Sequence, residues 1–113
     1  MDVQSNLPLT EVTFFILLSL ASKPKHGYAI MKDVEDMSAG RLGLSTGTLY
    51  GALKRLLDQE WITRIEDPQP NGTERERKAY RLTRLGRRIL EAEVVRLDSL
   101  VATAHLHVAG ENA

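Results

Sequence analysis

Ser45, Thr46, Thr48 and Tyr50 crowd positions 45–50, with Gly47 among them, Gly51 next, and Lys54 and Arg55 one turn further on. Hydroxyls of this kind bond to phosphate oxygens or base edges, and a threonine methyl can touch a thymine methyl. Lysine and arginine neutralise phosphates. The set reads as a surface for double-stranded DNA. Catalytic chemistry is poorly supplied by contrast. The chain has no cysteine, hence no thiol nucleophile, thiolate metal site or disulfide. Its histidines are His26, His105 and His107. The last two lie two apart and would face different directions on a helix. We expect no enzyme, no metal and no cofactor.

Such residues need a rigid element to present them, and Leu44 to Ile62 supplies one. Ser45 is a good N-cap. Leu49, Leu53, Leu56 and Leu57 repeat at helical spacing and form a buried face. Tyr50, Lys54 and Arg55 point elsewhere, and the helix should end near Gln59 and Glu60. An ordinary helix would also show a cap and first-turn hydroxyls. Gly47 and Gly51 argue for more, since each costs about 0.5–1 kcal/mol relative to alanine in a helix. Close approach of another molecule is a reason to keep both. A helix N-terminus also turns free N–H groups and partial positive charge outward.

The flanking chain reads as a scaffold. Met1 to Leu9 lack periodicity and are expected to be flexible. Thr10 caps a first helix reaching about Ala21. Val12, Phe14, Phe15, Ile16, Leu17, Leu18 and Leu20 cover nearly its whole circumference, which asks for burial on two sides. Pro24 stops it. A second helix spans Tyr28 to Met37, and Arg41 to Leu44 is a short extended link with room for one small strand. After the central helix, Trp61 to Glu66 alternates as a strand. Asp67 to Thr73 is a turn-rich loop, and Lys78 to Leu82 returns with Tyr80 and Leu82 on one face. Two strands round a loop after a helix-turn-helix make a winged helix.

Thr83 caps a last helix running to about His107, roughly 35 Å at 1.5 Å per residue. Leu85, Ile89 and Ala92 close the core with Leu82. Leu90, Val94, Leu97, Val101 and Ala104 alternate steps of four and three, a coiled-coil-like seam. The seam packs on the chain's own first helix or on a second copy. Surplus apolar surface on both helices, with Phe14 and Leu18 on the first, favours a homodimer. The expected class is mainly α with a small β-hairpin. The expected organisation is a flexible 1–9, a winged helix-turn-helix over 10–82, a dimerisation helix over 83–108 and a flexible tail over 109–113.

At 113 residues, 42% hydrophobic and 5% aromatic, the chain suits one domain with an aliphatic core. Its longest apolar run, Phe14 to Leu18, is too short to span a bilayer. No signal peptide is expected, and the lack of cysteine fits a reducing cytoplasm. Net charge is zero, from 15 basic and 15 acidic residues, which counts against a nucleic-acid binder. The distribution softens this, because Arg75, Arg77, Lys78, Arg81, Arg84, Arg87 and Arg88 stand against Glu76 alone. Such a run supplies a basic face for the wing or is a plain solvated surface. The alternative function is a winged-helix protein-interaction module that does not touch DNA.

Three motifs resemble the PadR-like winged-helix transcriptional regulators, in their short form with one C-terminal dimerisation helix. They are His26-Gly27-Tyr28-Ala29-Ile30, then Leu44 through Leu56 (LSTGTLYGALKRL), then Tyr80-Arg81-Leu82-Thr83 followed by Leu85-Gly86. The resemblance covers about Leu9 to Leu97 and rests most on the second motif. It implies a homodimer whose two recognition helices read a pseudo-palindrome, often as a repressor relieved by a small compound. It puts Tyr28 on a phosphate, Ser45, Thr46, Thr48 and Tyr50 at the groove, and Lys54 and Arg55 at its edge. A small hydrophobic effector would sit between the subunits. Two positions depart from the family pattern. Ala79 stands where an aromatic or basic residue is common, and the last helix's seam carries no aromatic to clamp a flat ligand.

Overall fold

The computed structural model describes residues 2–66 and 78–111. Among the described residues four α-helices accompany a small antiparallel sheet: α1 Glu11–Ser19, β1 Lys25–His26, α2 Gly27–Met37, α3 Thr46–Asp58, β2 Ile62–Glu66, β3 Lys78–Leu82 and α4 Arg84–Glu111. This is a winged helix-turn-helix with a long terminal helix, as expected. Leucine and isoleucine spacing explains the core. Ile16, Leu17 and Leu20 from the α1 region, Ile30 and Val34 of α2, and Leu49, Leu53 and Leu56 of α3 meet Trp61, Ile62, Leu82 and Ile89 in one buried cluster.

The helix starts follow their caps. Thr10 accepts from the Thr13 amide at 3.2 Å, and Ser45 accepts from the Thr48 amide at 3.1 Å. Thr83 does more. Its hydroxyl accepts from the Gly86 amide at 3.0 Å and donates to the carbonyls of Glu60 and Trp61 at 2.6 and 3.1 Å. One side chain thus joins the end of the α3 turn, the base of β2 and the start of α4.

Four expectations need correction. The described residues before Thr10 have structure of their own: Gln4–Asn6 form a 3-10 turn, and Val3, Leu7 and Leu9 pack on the core. The Leu9 amide donates to a Glu93 carboxylate oxygen at 2.8 Å. The small strand lies at Lys25–His26, not at Arg41 to Leu44, and it adds a third strand in the order β1-β3-β2. The last helix reaches Glu111, so its final turn occupies part of the expected tail. Leu90 belongs to the chain's own core at 4% exposure, so the free seam begins at Val94. The reason lies in the step of one helical turn: Leu90 still faces the domain body, whereas Val94 is 46% exposed and Val101 53%. The expected loop over 67–73 lies outside the described residues.

α4 dominates the molecule's outline, with principal extents of 63 × 34 × 22 Å. Residues 98–109 are exposed throughout, including Leu100, Val101, Leu106 and Val108.

Candidate nucleic-acid interface

The outer face of α3 is built on its cap. The Ser45 hydroxyl accepts from the Thr48 amide and donates to the Thr48 hydroxyl oxygen at 2.9 Å. That ties the Thr48 side chain to the cap in the first turn of α3. Thr46, Gly47, Thr48, Gly51, Lys54 and Arg55 are all exposed, while Leu49, Ala52, Leu53 and Leu56 on the other side are buried. Nothing in the fold requires glycine on this face. A Cβ on Gly47 would have no neighbour within 4 Å, and one on Gly51 would meet only the Arg55 guanidinium at 3.9 Å. The helix therefore carries two destabilising residues at positions where its own domain leaves open space.

Tyr28 is 72% exposed on the first turn of α2, next to Gly27, against which Tyr50 of α3 packs. Its placement comes from β1. His26 pairs with Ala79 and Lys25 with Tyr80, and Lys25 is fastened to Asp33 of α2, which also accepts from Ser19 of α1 at 2.8 Å. Burial pushes the Asp33 carboxyl up, but hydrogen bonds from Lys25 and Ser19 outweigh it and hold it below the usual carboxylate range. This cluster binds α1, the edge strand and α2 together just before Tyr28.

Tyr50 sits differently from the expectation. It is half-buried, and its ring lies over Gly27, where a Cβ would stand 2.4 Å from the phenol oxygen. It packs between α3 and the start of α2 and is less open to a groove than Thr46 or Thr48. Lys54 is exposed but shares an ion pair with Asp58, Nζ to Oδ2 3.3 Å.

The wing is the β2–β3 ladder, in which Glu66 faces Lys78 and Arg64 faces Tyr80. Lys78 is half-buried on β3. Arg75 and Arg77 lie outside the described residues. The basic run expected as one face is divided. Tyr80 lines the side toward α3, alternation turns the exposed Arg81 to the other side, and Arg84, Arg87 and Arg88 ride on α4. Arg87 is spoken for in part, donating to the Ala21 carbonyl at 2.7 Å.

Two residues that the sequence reading passed over join the site. Arg64 on β2 and Asp58 at the end of α3 line an open cleft of about 670 Å³ with Tyr50, Leu53, Lys54, Leu57, Thr63 and Tyr80. The four-residue spacing of Lys54 and Asp58 was a signal for the second. For Arg64 the strand's alternation was present, but its direction toward α3 depends on how the hairpin packs.

A family model for the PadR-like transcriptional regulators matches residues 16–92. The chain belongs to that family. A PadR family regulator from Clostridium difficile superposes with a TM-score of 0.71 at 24% identity, covering 88% of this chain and 99% of that one. A Bacillus subtilis PadR solved in complex with operator DNA superposes at 0.66 with 25% identity, covering 78% of this chain and 49% of that one. An uncharacterized 37.1 kDa protein in a transposon of Streptomyces fradiae is 37% identical over 106 residues. The match takes in 82% of this chain but only 30% of the transposon protein's length.

The remaining candidate residues of this PadR-like chain lie on α1 and α4. Phe14 and Leu18 are half-buried, their outer surface uncovered by the described residues. Val94, Val101 and Ala104 are exposed and Leu97 half-buried along one side of α4. No described helix is long and apolar enough to cross a membrane. Above the body, Glu93 is the one acid buried among the described residues, with its side chain 2% exposed. Arg96 forks onto it and the Leu9 amide donates to it. Hydrogen bonds from the Arg96 guanidinium outweigh burial, and with the Leu9 amide hold this carboxyl below the usual glutamate range.

Proposed function

We propose that the protein is a sequence-specific DNA-binding regulator that acts as a homodimer on a pseudo-palindromic operator. The observation that carries this reading is the outer face of α3. It combines a capped N-terminus, exposed Thr46 and Thr48, and two glycines whose missing side chains the fold does not fill. A surface of that kind fits a wall of phosphates and base edges approached at van der Waals distance. Family membership and the relative solved with operator DNA support it.

In this reading Ser45, Thr46 and Thr48 meet the major groove, with Tyr50 behind them holding α3 against α2. Tyr28, Lys54, Arg55 and Lys78 take backbone phosphates, joined by Arg75 and Arg77 from the wing. The exposed side of α4 from Val94 to Ala104, with Phe14 and Leu18, forms the subunit contact. Two α3 helices then address half-sites one DNA turn apart, about 34–36 Å. Occupancy of an operator excludes other proteins from it, so we read the protein as a repressor, acting in the cytoplasm. A small hydrophobic effector binding between the subunits is the release mechanism that the family resemblance favours.

The test is an electrophoretic shift and footprint on the protein's own upstream region, at several salt concentrations and with candidate small hydrophobic compounds. A protected palindrome whose affinity falls steeply with salt is expected. Equal affinity for random DNA would reject sequence-specific regulation. Zero net charge and the divided basic run favour the second reading, a protein-interaction module, and absence of any duplex binding at low salt would reject the first reading in its favour.

A further inference from the structure

Among the described residues Asp58 is the one acid lining the cleft between α3 and the wing, paired with Lys54 on its own helix, and Arg64 of β2 lines the same cleft. Glu66, two residues beyond Arg64, lies outside the cleft's lining. This inference rests on the DNA-binding reading above. A helix lying in a major groove about 12 Å wide is flanked by a phosphate backbone on each side. The wing stands beside α3, and in that reading one of those backbones passes between the two, through this cleft. Of the three charged side chains that line it among the described residues, Lys54 and Arg64 suit that passage and Asp58 does not.

We propose that Asp58 is a brake on DNA affinity: it occupies Lys54 in the free protein and opposes the phosphates that pass through the cleft. Lys54 Nζ lies 3.3 Å from Asp58 Oδ2, and the two side chains are 77% and 67% exposed. A pair this exposed is weak, so a phosphate can take Lys54 from it. The carboxylate then remains among phosphates, well inside the screening length of about 10 Å at 0.1 M salt. Its repulsion is blind to sequence. It lowers the part of the binding that every stretch of DNA offers equally, while Thr46 and Thr48, at the far end of α3, keep their contacts. Arg64 is the cation that holds the strand from the wing side.

The experiment compares wild type, Asp58→Asn, Lys54→Gln and the double variant on a random-sequence duplex and on the upstream region, across a salt series. Asp58→Asn should bind both DNAs more tightly, by about three- to tenfold at low salt. Its log affinity against log salt should steepen by up to about 0.9, because the carboxylate no longer offsets one phosphate contact. Lys54→Gln should lose more affinity in the Asp58→Asn background than in wild type, because only there is the lysine uncompensated. A wild type that binds duplex while Asp58→Asn binds it equally or more weakly would overturn this inference and leave the regulator reading standing. A wild type that binds no duplex would overturn both.

Discussion

Tyr50 closes over Gly27. A Cβ on Gly27 would stand 2.4 Å from the phenol oxygen and 2.9 Å from the carbon that bears it. The contact sets how closely α3 approaches the start of α2, and so the relation between Tyr28 and the hydroxyls of α3. Gly27→Ala must push the ring aside. A loss of roughly 1–2 kcal/mol is expected in urea unfolding. Tyr50→Ala should remove most of that loss when the two changes are combined. Additive effects would show that the contact is not the cause.

Gly86 offers the harder version of the same test. A Cβ there would lie 1.9 Å from the Trp61 carbonyl oxygen and 2.8 Å from its carbon. Backbone on both sides cannot swing away as a tyrosine can. Gly86→Ala should cost about 3 kcal/mol or more and lower the thermal midpoint further than Gly27→Ala does. The reverse order would place the rigid contact elsewhere.

Gly47 separates structure from function by sign. Its Cβ would meet nothing, so Gly47→Ala should stabilise the free protein by about 0.5–1 kcal/mol. The same methyl should obstruct DNA and weaken operator binding. Calorimetry and a shift assay on one preparation give both numbers. A stabilised variant with unchanged affinity would remove Gly47 from the interface. Thr48→Ala keeps the amide that Ser45 caps, so it should lose sequence preference, by about 1–3 kcal/mol per base contact, with little change in stability.

Acid should weaken the attachment of the N-terminal arm. The Glu93 carboxyl is held below its ordinary range by Arg96 and the Leu9 amide. The unfolded chain therefore takes up its proton first as pH falls. The stabilisation is present at neutral pH, above the ordinary glutamate range, and disappears as pH drops through that range and then through the lowered folded value. Glu93→Gln keeps an acceptor for Leu9 but no charge for Arg96. Its urea midpoint should depend less on pH than wild type between about pH 6 and 3. Parallel curves would show that the carboxylate's charge is not what holds the arm.

Leu90 and Leu97 lie on one seam with Val94 between them and should answer differently. Leu97→Asp should leave a folded monomer in sedimentation, because Leu97 lies on the uncovered side of α4. Leu90→Asp should unfold the protein, because Leu90 is 4% exposed within the core. A Leu97→Asp protein that stays dimeric would move the subunit contact off this side of α4.

Much of this was legible in the sequence because it is local. The Ser45 cap, the leucine spacing of α3 and the limits of β3 follow from near neighbours. What was hidden depends on distant ones. Lys25 and His26 make a strand of two residues only because β3, more than fifty positions later, supplies partners. Leu7 and Leu9 lack periodicity, and what holds Leu9 is a carboxylate 84 residues away. Leu90 fits the seam's spacing perfectly well, but a helix leaving its domain changes surroundings within one turn. Arg81, Arg84, Arg87 and Arg88 look like one patch in a line of text, but strand alternation and the turn into α4 send them to different sides.

The Thr83 hydroxyl, bonded to Glu60, Trp61 and Gly86, leaves little freedom between the end of α3 and the beginning of α4. In the dimer proposed above, these two helices then turn together like the blade and handle of a key. The angle at which two α4 helices cross becomes the distance between two α3 tips. Anything wedged between the subunits would be felt at the DNA as a change of gauge, without a single residue of α3 shifting within its own domain.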